Sequence, residues 1–163
     1  MAEARKRVLN PKTICPPIKP YYSNAVIVDS GPLMFVAGQA ALDKAGKVVG
    51  AGDLRAQAVQ VLENIKAICA AAGATMADIV EVTNYVTDIR AFHDITDIRN
   101  RYFPKDGPAS VICEISKLAL PELMIEISAI VALPGRTPAR ARTGRARAAA
   151  RPARKKKAAR RKR

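Results

Sequence analysis

Residues 136–163 contain neither a carboxylate nor an aromatic side chain. Those 28 residues hold 14 of the 28 lysines and arginines, so the whole formal excess of +14 sits at one end. Residues 1–135 carry 14 basic groups against all 14 acidic ones, the balance of an ordinary folded unit. The chain is therefore read as a neutral domain with a polycation attached, because net charge bears on association rather than fold. Without an aromatic ring the tail has no platform for stacking bases, which leaves only sequence-independent attachment to phosphates.

Cysteine is scarce and unpaired. Cys15, Cys69 and Cys113 are an odd number without a CxxC spacing, so neither a disulfide framework nor a metal site is indicated, and they read as reduced thiols. No apolar run approaches the roughly 20 residues that span a bilayer, and Met1–Asn10 is charged with no apolar stretch behind it. The expectation is a cytoplasmic protein with no membrane contact. The glycines between Gly46 and Gly52 have no GxGxxG or GKS arrangement, which makes them a turn-rich connection and leaves no cofactor indicated. The only histidine, His93, falls on the polar side of a short helical pattern, so a serine nucleophile has no matched base.

Two short apolar runs, Ala25–Val28 and Leu33–Ala37, flank Asp29-Ser30-Gly31-Pro32, a composition that predicts a hairpin between them. A short strand at Lys47–Val49 is also expected. Between Asp53 and Ala72, apolar residues Leu54, Ala58, Val61, Leu62, Ile65, Ile68 and Cys69 recur at spacings of three and four, the stripe of an amphipathic helix. Asp53 is placed to cap its start, and Gly73 to take the left-handed position at its end. A strand over Ile79–Thr87 follows, then a helix from Ala91 to Tyr102 facing inward through Phe92, Ile95, Ile98 and Tyr102 and stopped by Pro104. Two more strands, Ser110–Leu118 and Leu123–Leu133, are joined by a turn at Pro121-Glu122. This order predicts an α+β fold, a single-domain mixed β-sheet with two helices on one face. In the last strand Ile125, Ile127, Ala129 and Val131 form one face and Met124, Glu126, Ser128 and Ile130 the other. The second face is partly apolar and has no element left to cover it, so packing between identical subunits is expected, with ligand clefts at the seams.

Several segments in this order resemble the reactive-intermediate deaminases, also called the RidA/YjgF/YER057c/UK114 family. They are Tyr22-Ser23-Asn24-Ala25-Val26, Leu33–Gln39, the helix Gln57–Ala72 with Gly73 behind it, Tyr85–Asp88, Pro108-Ala109 and Ile125–Ile130. The resemblance covers Ile18 to Leu133 and implies a chorismate-mutase-like homotrimer with pockets at subunit boundaries. It also implies hydrolytic deamination of small reactive enamines or imines to a carbonyl compound and ammonia. Three regions follow: residues 1–17 as an N-terminal extension, 18–135 as the RidA-like domain and 136–163 as a basic tail.

Family members carry an arginine after Pro-Ala that pairs with the substrate carboxylate, and here that position is Ser110. The resemblance makes Tyr22 a cleft residue, Gly38 a point of close backbone approach and Glu126 the carboxylate that orients the attacking water. Ile112 stands where many members have cysteine, and Arg90 is the nearby cation expected to replace the missing anchor. The alternative reading is a noncatalytic trimer that binds a small metabolite in the same clefts. The tail, with Arg154, Lys155, Lys156, Lys157, Arg160, Arg161, Lys162 and Arg163 as its densest cluster, is expected to bind DNA or RNA nonspecifically.

Overall fold

The computed structural model describes residues 5–133. The elements run β1 (Arg5–Leu9), β2 (Ala25–Ser30), β3 (Leu33–Ala40), α1 (Leu54–Ala71), β4 (Ile79–Val86), α2 (Thr96–Tyr102), β5 (Ala109–Glu114) and β6 (Ile125–Ala132). A 3-10 turn over Ala91–Ile95 leads into α2, so the helix expected over 91–102 begins as a tighter coil. Lys47–Val49 contributes a single bridge, Leu42 to Val48, in place of a strand.

A four-stranded mixed sheet, in the order β3-β6-β4-β5, forms the centre. β6 is antiparallel to both β3 and β4, while β5 runs parallel to β4. The last two strands are therefore not neighbours, because β4 lies between them. The alternation of β6 decides what the sheet can bury. Ile125, Ile127, Ala129 and Val131 are buried toward the helices, whereas Glu126, Ser128 and Ile130 face outward and stay partly open.

The expected hairpin between Ala25–Val28 and Leu33–Ala37 does not form. β2 pairs antiparallel with β1 in a separate two-stranded sheet, and β3 pairs with β6. The turn composition is real, with Gly31 at φ +113 and the Pro32 carbonyl accepting from the Leu133 amide at 2.9 Å. It redirects the chain without zipping its flanks. The basic segment read as part of an extension supplies the competing partner, and Arg7 faces Asp29 at 3.6 Å across that pair. β2 enters beside the opposite edge of the main sheet, where Ser23 bridges to Ala109 in parallel and donates to the Pro108 carbonyl at 3.0 Å.

α1 covers the inner face of the sheet with the predicted stripe: Ala58, Val61, Leu62, Ile65 and Cys69 are essentially inaccessible. Asp53 Oδ1 accepts from the amides of Arg55 (2.9 Å) and Ala56 (3.1 Å), satisfying two orphan donors of the first turn. Gly73 at φ +74 lets the chain leave the helix. Arg55 then reaches Asp97 through a two-pronged pair at 2.8 and 2.7 Å, tying α1 to α2. No helix among the described residues is long and apolar enough to cross a membrane.

Candidate functional site

Glu126 is set by β6 on the outward face, opposite Ala40 of β3 and Tyr85 of β4. The pairing of β3 with β6 slips between Val36 and Gln39, and Gly38 sits in that irregularity. A Cβ added at Gly38 would lie 1.9 Å from Glu126 Oε1 and 2.7 Å from its carboxyl carbon. The glycine is thus required by space: the carboxylate occupies the volume where a side chain at 38 would begin. Gly38 and Glu126 border a groove of about 620 Å³ whose wall also includes Gln39, Lys44 and Asn64. The carboxylate is half-open against bare backbone, and no cation among the described residues is bonded to it, so its oxygens are open to a hydrogen bond from water.

Ser110 lies elsewhere in the same protomer. It is paired with Val82 in β5, one residue out of phase with the outward set, and therefore points to the helix side. Its Oγ accepts from Asn84 Nδ2 (3.3 Å) and from Arg99 Nη2 (3.1 Å). Asn84 is buried and also donates to the Val111 carbonyl at 2.7 Å. Ile112 shares this side, paired with Asn84, and Cys113 beside it faces outward with Tyr85. A thiol at 113 accordingly does not stand in for one at 112.

Tyr22 is half-buried, and its hydroxyl accepts from the Ile18 amide at 3.0 Å. It lines a groove of about 420 Å³ with Lys19, Lys105 and Asp106. A Cβ at Gly107 would meet the backbone of Tyr21 and Tyr22 at 2.1–2.6 Å, so the two segments cross in direct contact. That crossing presses the Tyr21 ring, 5.9 Å from the ring of Tyr22, onto the guanidinium of Arg99.

Arg90 is engaged within its own turn. Its guanidinium donates to Asp88 at 3.0 and 2.9 Å, and its side chain is 88% exposed. Asp88 raises the arginine pKa through this contact, and the arginine lowers that of Asp88. Among the described residues it makes no hydrogen bond to Ser110, whose oxygen is met by Asn84 and Arg99. His93 is exposed, as its place on the helical pattern implied. Within one protomer, then, Glu126 and Gly38 are brought together on the outward face and Ser110, Ile112 and the Tyr21-Tyr22 segment on the helix side. The tail cluster from Arg154 to Arg163 lies outside the described residues.

The sequence reading missed Arg99, which is 2% exposed and sits between the rings of Tyr21 (4.1 Å) and Phe92 (4.7 Å). Burial pushes its pKa down to about 10, with Tyr21 opposing. Its Nη1 has no hydrogen-bond partner among the described residues, and neither has Asn100 Oδ1. The signal was present: Ile95, Ile98, Arg99 and Tyr102 are spaced as one helical stripe, so a charge falls on the buried face of α2.

The family described as Endoribonuclease L-PSP matches residues 14–133. A RutC family protein of Pyrococcus horikoshii is 39% identical over 126 residues, which cover 77% of this chain and 96% of that relative. The chain belongs to the RidA/YjgF/UK114 family. The DfrA protein of Myxococcus xanthus is 40% identical over 121 residues, 74% of this chain and 87% of its own. The Rid-family protein YyfB of Yersinia pestis superposes with a TM-score of 0.74 at 38% identity, covering 78% of this chain and 98% of that one. A Thermotoga maritima structure described as a putative endoribonuclease gives 0.59 at 35% identity, with 79% and 98% covered. For this RidA-family chain, homology supports hydrolytic deamination of enamines and imines.

Proposed function

We propose that this RidA-family chain assembles as a homotrimer and hydrolyses small enamines or imines in clefts between protomers, with Glu126 orienting the water. The carrying observation is the carboxylate of Glu126 lying over Gly38 at the edge of an open groove. Glu126 accepts a proton as the water oxygen attacks the imine carbon. The proton passes to nitrogen, and the resulting carbinolamine expels ammonia to leave the carbonyl. An enamine enters the same path after protonation at carbon gives the imine.

Assembly is supported by the outward face of the sheet. Phe35 is 74% exposed and Val111 48%, beside the half-buried Ile130, which is more apolar surface than one face of a solitary domain usually leaves to water. Covering it with copies of itself also brings the helix-side residues of one protomer within reach of the outward face of another.

Ammonia release from freshly generated 2-aminoacrylate and from a neutral imine tests the reaction. Glu126→Gln should lower turnover by about 10²–10⁴-fold with the fold retained. No acceleration above buffer by the native chain would sink the deaminase reading. A noncatalytic metabolite-binding trimer is the second reading, favoured by Ser110 where a guanidinium was expected; it requires Glu126→Gln to leave ligand binding intact and the native chain to be inert. The basic tail is proposed as a phosphate-binding arm. Removing residues 136–163 should abolish most low-salt binding to DNA and RNA, whereas an unchanged salt slope would assign that contact elsewhere.

A further inference from the structure

We infer that Asn64 of α1 is a positioning residue for the hydrolysis, fixing the register of β3 so that Gly38 is the residue that meets the Glu126 carboxylate. The inference rests on the deaminase reading above and names the group that holds its carboxylate in place.

The irregularity in β3 is a bulge. Val36 stands opposite Ala129 and Gln39 opposite Ile127, so Ala37 and Gly38 together face the single residue Ser128. Everything beyond that point is shifted by one residue, and the shift decides what meets Glu126. A Cβ at Gly38 would lie 1.9 Å from Glu126 Oε1. Sliding the strand by one residue in either direction would bring Ala37 or Gln39 to that place, and either carries a Cβ from which the carboxylate would have to turn away. Ladder hydrogen bonds do not prevent such a slip, because nearly every residue offers the same backbone groups.

Asn64 supplies what the ladder lacks. Its Nδ2 donates to the carbonyls of Ala40 (3.2 Å) and Leu42 (3.1 Å), the residue paired with Glu126 and the one two places further on. Its Oδ1 accepts from Gln60 Nε2 at 2.8 Å, one helical turn earlier, so the amide is oriented from within the helix. The segment it grips is itself fixed. The Leu42 amide donates to the Ala40 carbonyl and the Val49 amide to the Ala41 carbonyl, both at 2.8 Å, and Ala41 is fully buried.

The same helix holds the other strand. Gln57, two turns earlier on the same face of α1, accepts from the Met124 amide at 2.7 Å, two residues before Glu126. One helix thus sets both strands at the level of the carboxylate, β6 through Gln57 and β3 through Asn64. Asn64 also lines the groove that Glu126 borders, but both its amide hydrogens are turned to β3. It acts through Glu126 and not on the substrate.

Asn64→Leu keeps the size of the side chain and loses both donors. In the full chain it should lower kcat for 2-aminoacrylate about 10²-fold and leave KM within about twofold, because placement is lost while binding is not. Placed on top of Glu126→Gln it should cost nothing further, since the group it positions is already gone. Gln60→Ala, which frees the amide to turn, should give a smaller loss of the same kind, and Asp53→Ala, which weakens α1 away from β3, should leave kcat unchanged. Equal losses in the native and Glu126→Gln backgrounds, a loss carried by KM, or an unchanged kcat would each overturn the inference. Amide hydrogen exchange requires no turnover: in Asn64→Leu residues 39–42 should exchange about tenfold faster, with β4 and β5 unaltered. Unchanged exchange at 39–42, or equal acceleration throughout the sheet, also overturns it. If the native chain releases no ammonia while exchange at 39–42 responds as expected, the deaminase reading fails and the register role of Asn64 stands.

Discussion

Gln57 and Arg99 are both polar side chains sealed inside the protein, and they differ in whether the chain completes them. Gln57, fully buried on α1, donates to the carbonyls of Gly50 (3.0 Å) and Glu122 (2.7 Å) and accepts from the Met124 amide (2.7 Å). Every partner is backbone, and together they pin the glycine-rich turn and the approach to β6 against the helix. Arg99 has one hydroxyl, two rings and an unbonded nitrogen. A buried polar group that is fully bonded recovers what it loses by leaving water, whereas one left incomplete carries part of that desolvation cost into the folded state.

The contrast breaks if the two residues respond alike to removal. Gln57→Ala leaves two carbonyls and one amide without their partner and should cost about 2–4 kcal/mol in chemical denaturation. Arg99→Met removes a desolvated charge and two cation–π contacts of roughly 1–2 kcal/mol each. Because an apolar side chain of similar length escapes the desolvation cost of several kcal/mol, the thermal midpoint should not fall. A large drop for Arg99→Met would place it in the same structural class as Gln57. Asp53→Ala, which frees two amides at the start of α1, should cost about 1 kcal/mol by the same denaturation measurement.

The smallest effect concerns the tie between the helices that carry these two residues. The hydrogen bond from Arg55 holds the Asp97 carboxyl at about 2, below its ordinary 3.8. A carboxylate depressed in the folded state adds stability above its unfolded pKa and loses it as pH falls through the folded one. The difference in thermal midpoint between the native chain and Asp97→Asn should therefore shrink between about pH 4 and pH 2. Both side chains are half exposed, so the difference is modest throughout.

How much of this was legible in the sequence depends on whether the information was local. The stripe of α1, its Asp53 cap and the two-faced alternation of β6 follow from spacing alone, and each stands where expected. Pairing is not local. Asp29-Ser30-Gly31-Pro32 specifies a turn but does not say which edges its flanking strands will meet, and Arg5–Leu9 has too few apolar residues to read as a strand. The family resemblance marked Gly38 as a point of close approach without naming its neighbour, and that neighbour is the Glu126 carboxylate across the β3–β6 pairing. Arg90 was chosen because it is near in sequence to a matched segment. Arg99 was passed over because a charge inside an apolar stripe looks like noise until its neighbours are known.

The position of β6 carries a consequence for how the chain is made. Among the described residues it is the last strand in sequence, yet it lies between β3 and β4 and is the only strand that links them. During synthesis β4 and β5 can meet, and so can β1 and β2, but β3 has no partner until the chain has been extended through Ala132. The central sheet therefore closes late and all at once, and until then the hydrophobic edge of β3 is open to pairing with other nascent chains.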